Sequence, residues 1–106
     1  MGLFKKKSKE EKQHEAALNI KSMLHSMAAL KALGWASQYR DEIYKANYQY
    51  DEYQRKVAKV DAWQEKIQKL CEAAVDALET DEEIMKVWND KDNFFAKILK
   101  QNPIKY

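Results

Sequence analysis

The chain has 106 residues, enough for one domain. Its residues are 45% apolar and 34% charged, with two Gly and one Pro, a balance typical of long helices. A net charge of +2 rules out a polycation, the lone Cys71 rules out an intrachain disulfide, and no stretch reaches the ~18 apolar residues of a membrane span.

The charge is unevenly placed. Residues 1–31 hold seven Lys against three Glu, and residues 72–83 hold six acids and no base. The opening Met-Gly-Leu-Phe-Lys-Lys-Lys lacks the apolar core of a secretory signal, so a cytoplasmic location is expected. It also lacks the Ser or Thr at position 6 that N-myristoylation wants, since Lys6 stands there. Residues 1–8 are expected to form a basic arm. Lys5, Lys6, Lys7, Lys9 and Lys12 would meet acidic lipid, acidic protein or phosphate.

Ser8 and Glu11 make a capping box, which predicts a helix start there. Ala17, Ile20, Met23 or Leu24, Met27 and Leu30 follow at helical spacing, and Ala16, Ala28, Ala29 and Ala32 permit close helix approach. Gly34 suits a left-handed C′ position, with Trp35 folding back on Leu30. The first helix is therefore expected over 9–33.

Ser37 is the expected cap of a second helix over 37–79. Its stripe runs Tyr39, Ile43, Ala46, Tyr50, Tyr53, Val57, Val60, Gln64, Ile67, Cys71, Ala74, Leu78, a heptad seam broken only by Gln64. Acid-to-base pairs at i,i+4 line its outside: Asp41–Lys45, Asp51–Arg55, Glu52–Lys56 and Glu65–Lys69. Cys71 sits on the seam and reads as a buried, inert filler. Asn47 is the weakest point of this helix.

Thr80 and Glu83 form a second capping box, opening a third helix over 81–101 that carries Ile84, Val87, Trp88, Phe94, Phe95, Ile98 and Leu99. Asn89 to Asn93 is poor helix material, so a break with Asp92 as the new cap is foreseen. Pro103 ends the element. Domain organisation is then a basic arm (1–8), one helical domain (9–102) and a short tail (103–106).

A continuous helix over 37–78 would be about 60 Å long. A compact chain of this size has a radius of gyration near 13 Å. The expected fold is therefore all-α: an elongated three-helix protein with a coiled-coil-like central helix, or a four-helix bundle if that helix breaks near Asn47. An unbroken seam would seek a second copy or a partner helix. Tyr44, Tyr48, Tyr53, Val60, Trp63, Ile67, Leu70 and Trp88 are the expected interface residues, although Tyr44 and Tyr48 could equally be covered by the first helix.

Catalytic and metal signatures are weak. Glu11 and His14 form one Glu-x-x-His without a second, and Asp90, Asp92 and Asn93 lack the Gly and closing Glu of a calcium loop. Ser22, His25 and Ser26 share a helix face without an orienting acid or oxyanion site. No catalytic residue, cofactor or metal is expected. Trp35, Tyr39, Arg40, Tyr44, Lys45, Tyr48, Arg55, Lys56 and Lys59 interleave aromatics with bases, but Asp41, Glu42, Asp51 and Glu52 cancel their charge, which disfavours nucleic acid.

The opening Met-Gly-Leu-Phe and lysines, followed by a helical hairpin, resemble the start of the membrane-remodelling ESCRT-III subunits over about seven residues. No residue role is carried over. The expected function is that of a non-enzymatic helical protein. It would self-associate or dock on a partner helix within a larger assembly, such as a virus particle or a membrane machine. The competing expectation is a protein associated with nucleic acid or an acidic membrane surface through the basic arm.

Overall fold

The Ser8 side chain accepts a hydrogen bond from Glu11 N at 3.1 Å, and the first helix begins at Lys9. The computed structural model describes residues 8–106, which form four helices: α1 (Lys9–Lys45), α2 (Tyr50–Asp76), α3 (Asp81–Asn89) and α4 (Lys91–Gln101). Lys5, Lys6 and Lys7 lie outside the described residues.

Gly34 does not end α1, which runs on through Trp35 to Lys45. Gly34 keeps a negative φ, and a Cβ there would meet nothing within 4 Å. A helical Gly costs about 1 kcal/mol against Ala. Ala28, Ala32, Ala36 and Ile43, on both sides of it, are all buried in one core, and their burial outweighs that cost. Leu30 and Trp35 part company: Leu30 is exposed and Trp35 packs against the core. Ser37 is an exposed residue within α1 and caps nothing.

The chain reverses at Ala46–Gln49 instead. Ala46 N donates to Glu42 O at 3.1 Å, and Asn47 takes φ 55°, the one positive φ among the described non-glycine residues. Asn tolerates that left-handed conformation better than most residues. The expected rod over 37–79 is thus divided at its weakest point. The protein is nonetheless elongated, 73 × 27 × 18 Å with a radius of gyration of 19.1 Å.

α2 runs antiparallel to α1, and α3 with α4 return parallel to it. Cross-contacts set this register. Lys21 Nζ donates to Asp76 O (3.2 Å) and Leu78 O (2.7 Å) at the end of α2. Arg40 Nε and Nη2 donate to Asp61 Oδ1 at 3.1 and 2.9 Å. His14 Nδ1 lies 2.8 Å from Asp81 Oδ1, Lys31 Nζ donates to Asp92 Oδ1 at 3.1 Å, and the Tyr106 hydroxyl donates to Glu42 Oε2 at 2.7 Å. Lys21 matters because α2 has no basic residue in its own last turn. A cation from α1 satisfies the carbonyls there and meets the negative end of the dipole.

The core sits where three helical layers meet. Val60, Ile67, Cys71 and Val75 of α2 close on Ala17, Leu24, Ala28, Ala32, Ala36 and Ile43 of α1, with Ile84 and Phe95 from α3 and α4. The run of alanines lets α1 come close. The later part of the heptad seam, Val60, Ile67 and Cys71, is therefore buried inside one chain, while Ala46 and Tyr50 are exposed at the turn. Gln64, its polar member, accepts a hydrogen bond from Arg40 Nη2.

The second capping box forms as read, with Thr80 Oγ1 accepting from Glu83 N at 3.1 Å. The later break falls at Asp90 rather than at Asp92. Asp90 accepts from Asn93 Nδ2 at 2.7 Å, whereas Asp92 is taken by Lys31. Past α4, Trp63 Nε1 donates to Asn102 O at 2.9 Å, and Tyr39 meets the Trp63 ring edge-on at 5.4 Å. Ile104 and Tyr106 pack against the core, so the last residues cover the bundle's end.

Candidate functional site

The expected interface residues divide into two groups. Val60 and Ile67 are fully buried and Trp63 is 9% exposed, so their apolar atoms are already used by the intramolecular core. Tyr53 and Trp88 are half-buried. Tyr44, Tyr48 and Leu70 remain exposed, Tyr44 at 70%. The hairpin end at Ala46–Gln49 thus carries Tyr44, Tyr48 and Tyr50 at the surface, with the Lys56 ammonium 4.7 Å from the Tyr48 ring centre. Lys56 does not pair with Glu52, and of the four i,i+4 pairs read from sequence, Asp41–Lys45 (2.8 Å) and Glu65–Lys69 (3.1 Å) form. The Asp41 hydrogen bond raises the Lys45 pKa from its ordinary value.

A larger exposed surface lies on the outer side of α1. Asn19, Met23, Ser26, Leu30, Leu33 and Ser37 are all exposed, and they follow one another in steps of four and three. Leu30 is 67% exposed, Met23 50% and Leu33 49%. That spacing is a second heptad stripe, about 27 Å long at 1.5 Å per residue. It is distinct from the buried stripe of Ala17, Leu24, Ala28, Ala32, Ala36 and Ile43.

The electrostatics of this face are as informative as its apolar residues. Residues 18–38 contain three ionisable side chains of the Lys, Arg, His, Asp and Glu types: Lys21, His25 and Lys31. Each is turned to a flank. Lys21 caps α2, and His25 Nε2 lies 3.6 Å from both Glu72 Oε2 and Asp76 Oδ1. Lys31 holds Asp92. The Ser26 hydroxyl donates to Ser22 O at 3.2 Å, so it is satisfied by its own helix. The face is left uncharged and cheap to dry.

The outer face of α2 is different. Arg55, Lys59 and Lys66 are exposed there without an ion pair among the described residues. Lys9 and Lys12 are exposed at the start of α1.

Burial, and then the Glu72 charge, push the Cys71 thiol up to about 11, which keeps it protonated. The hydrogen bond to Glu42, followed by burial, pushes Tyr106 up to about 12. No group of three or more His, Cys, Asp or Glu among the described residues could hold a metal ion, and no helix among them is long and apolar enough to cross a membrane.

The outer stripe of α1 was partly visible in sequence. Leu30, and Met23 as the alternative to Leu24, fit the spacing of the expected apolar stripe, but Leu18 and Leu33 fall off it, and no charged residue occurs from Ala32 to Tyr39. A helix with apolar residues on two sides is the signal for two contacts. No protein-family model matches the chain, and no curated protein or solved structure matches it.

Proposed function

We propose that this protein is a non-enzymatic helical interaction protein that works by docking, on itself or on a partner helix, as a component of a larger assembly. The observation that carries this reading is the uncharged, exposed stripe on the outer side of α1, whose neighbours Lys21, His25 and Lys31 are all engaged elsewhere in the bundle. Exposed apolar faces of this kind mark contact surfaces. The heptad step suits a helix as the docking element.

Leu30, Leu33 and Met23 take the place of Val60, Trp63 and Ile67, with exposed Tyr44 and Tyr48 as flanking contacts. A second reading has its own support: Arg55, Lys59 and Lys66, with Lys9 and Lys12, offer cations to a nucleic acid or an acidic membrane. Two measurements separate the readings. Light scattering over a concentration series gives the mass, and mobility shifts with DNA and RNA at two salt concentrations give nucleic-acid affinity. Self-association without retardation supports the docking reading. A strict monomer that retards nucleic acid tightly and salt-dependently overturns it.

A further inference from the structure

We infer that the occupant of the outer α1 face is a second copy of this chain, packed α1 against α1 in antiparallel order. The inference rests on the docking reading above and names its partner.

Charge complementarity is the first argument. The stripe of Asn19, Met23, Ser26, Leu30, Leu33 and Ser37 has no counter-charge to offer. A partner helix bearing charge across it would bury that charge unpaired, at substantial cost. The partner face must be as uncharged as this one. On this molecule the outer face of α2 carries Arg55, Lys59 and Lys66, and that of α3 and α4 carries Glu82, Lys86, Asp90 and Lys97. The α1 stripe is the chemical match of itself.

Register is the second argument. In an antiparallel heptad pair, a two-fold axis sets each core residue opposite one of the other type. Centring that axis beside Ala28 places Leu30 against Ser26 of the second copy, and Met23 against its Leu33. Ser37 then faces Asn19, and each contact occurs twice. Large side chains meet small ones at the middle, and polar ones meet at the rim. Gly34 is exposed, with nothing near its missing Cβ, so its place on this face costs the monomer stability and gains it no contact. In parallel order Leu30 would face Leu30 and Ser26 would face Ser26, leaving small gaps between crowded layers.

The contact is short. A seam of about 27 Å lies at the low end of specific interface sizes, so the dimer is reversible and concentration-dependent.

The experiment uses the full chain. Sedimentation equilibrium should give a mass that rises from monomer to dimer with concentration. Leu30→Glu should remain monomeric throughout with unchanged helicity, because Leu30 makes no buried contact in the single chain. Orientation is read by disulfide trapping. Ser26→Cys mixed with Leu30→Cys, one of them tagged, should give a mixed covalent dimer on mild oxidation, while neither variant alone should bridge. Cys71 is buried and stays out of the reaction. A monomer at every concentration overturns the inference and leaves docking on a different helix. A dimer that Leu30→Glu does not disturb also overturns it, while self-association through another surface stands. Bridging of Ser26→Cys with itself, but not in the mixture, shows parallel order and overturns the register. Sedimentation of the wild-type monomer with phosphatidylcholine vesicles, lost in Leu30→Glu, assigns the face to a bilayer and overturns the inference.

Discussion

Gly34→Ala tests the boundary of α1 through the sign of its effect. Gly34 lies in the helix with negative φ, is exposed, and has open space where the Cβ would go. Ala in such a place gains about 1 kcal/mol, from helix propensity and from a less flexible unfolded chain. For a chain of this size that raises the melting temperature by roughly 4–8 °C. Had the helix ended there with Gly34 in the left-handed region, the same change would cost about 1–2 kcal/mol. The two cases differ by at least about 2 kcal/mol, well above the error of a urea or thermal melt followed by circular dichroism at 222 nm. A lower melting temperature for Gly34→Ala would falsify the continuous α1.

The remaining predictions concern the turn, the core and the thiol. Asn47→Val forces a β-branched residue to φ 55° and should cost about 2 kcal/mol, whereas Asn47→Gly should stay within about 0.5 kcal/mol of wild type; equal melts for the two variants would show that the turn has another geometry. Val60→Glu places a carboxylate where no solvent reaches and should unfold the chain or lower its stability by about 3–5 kcal/mol; a native-like melt would move Val60 out of the core. Cys71 should resist iodoacetamide at pH 9 when folded and react readily in urea. Its pKa is raised on folding, from 9.0 to about 11, so the unfolded chain ionises first. The stability this contributes is intact below pH 9 and lost as the pH climbs through 11. Rapid labelling of the folded chain at pH 9 would contradict the buried placement.

Local chemistry was legible along the chain. Ser8 with Glu11 and Thr80 with Glu83 form their caps because a side chain and a backbone N–H three residues apart need no tertiary partner. The stripe through Val60, Ile67 and Cys71 announced a buried helix face, since periodicity alone sets which residues share a side; at its end the structure buries Val75, off the stripe read from sequence, more fully than Ala74. Asn47 is legible as the weak point of its helix for the same local reason.

Long-range packing settled what those rules left balanced. Gly34 and Asn47 were both plausible stops, and their intrinsic costs differ by less than the burial of one aliphatic side chain. Closing Ala28, Ala32, Ala36 and Ile43 onto α2 carried α1 through Gly34 and moved the reversal to Asn47. The same choice decided which of α1's two apolar sides faces inward. Sequence shows that a helix has such sides, but which one is covered depends on the position of another helix dozens of residues away. That is why Val60 and Ile67 are core residues of a single chain, and why Met23, Leu30 and Leu33 are left at the surface.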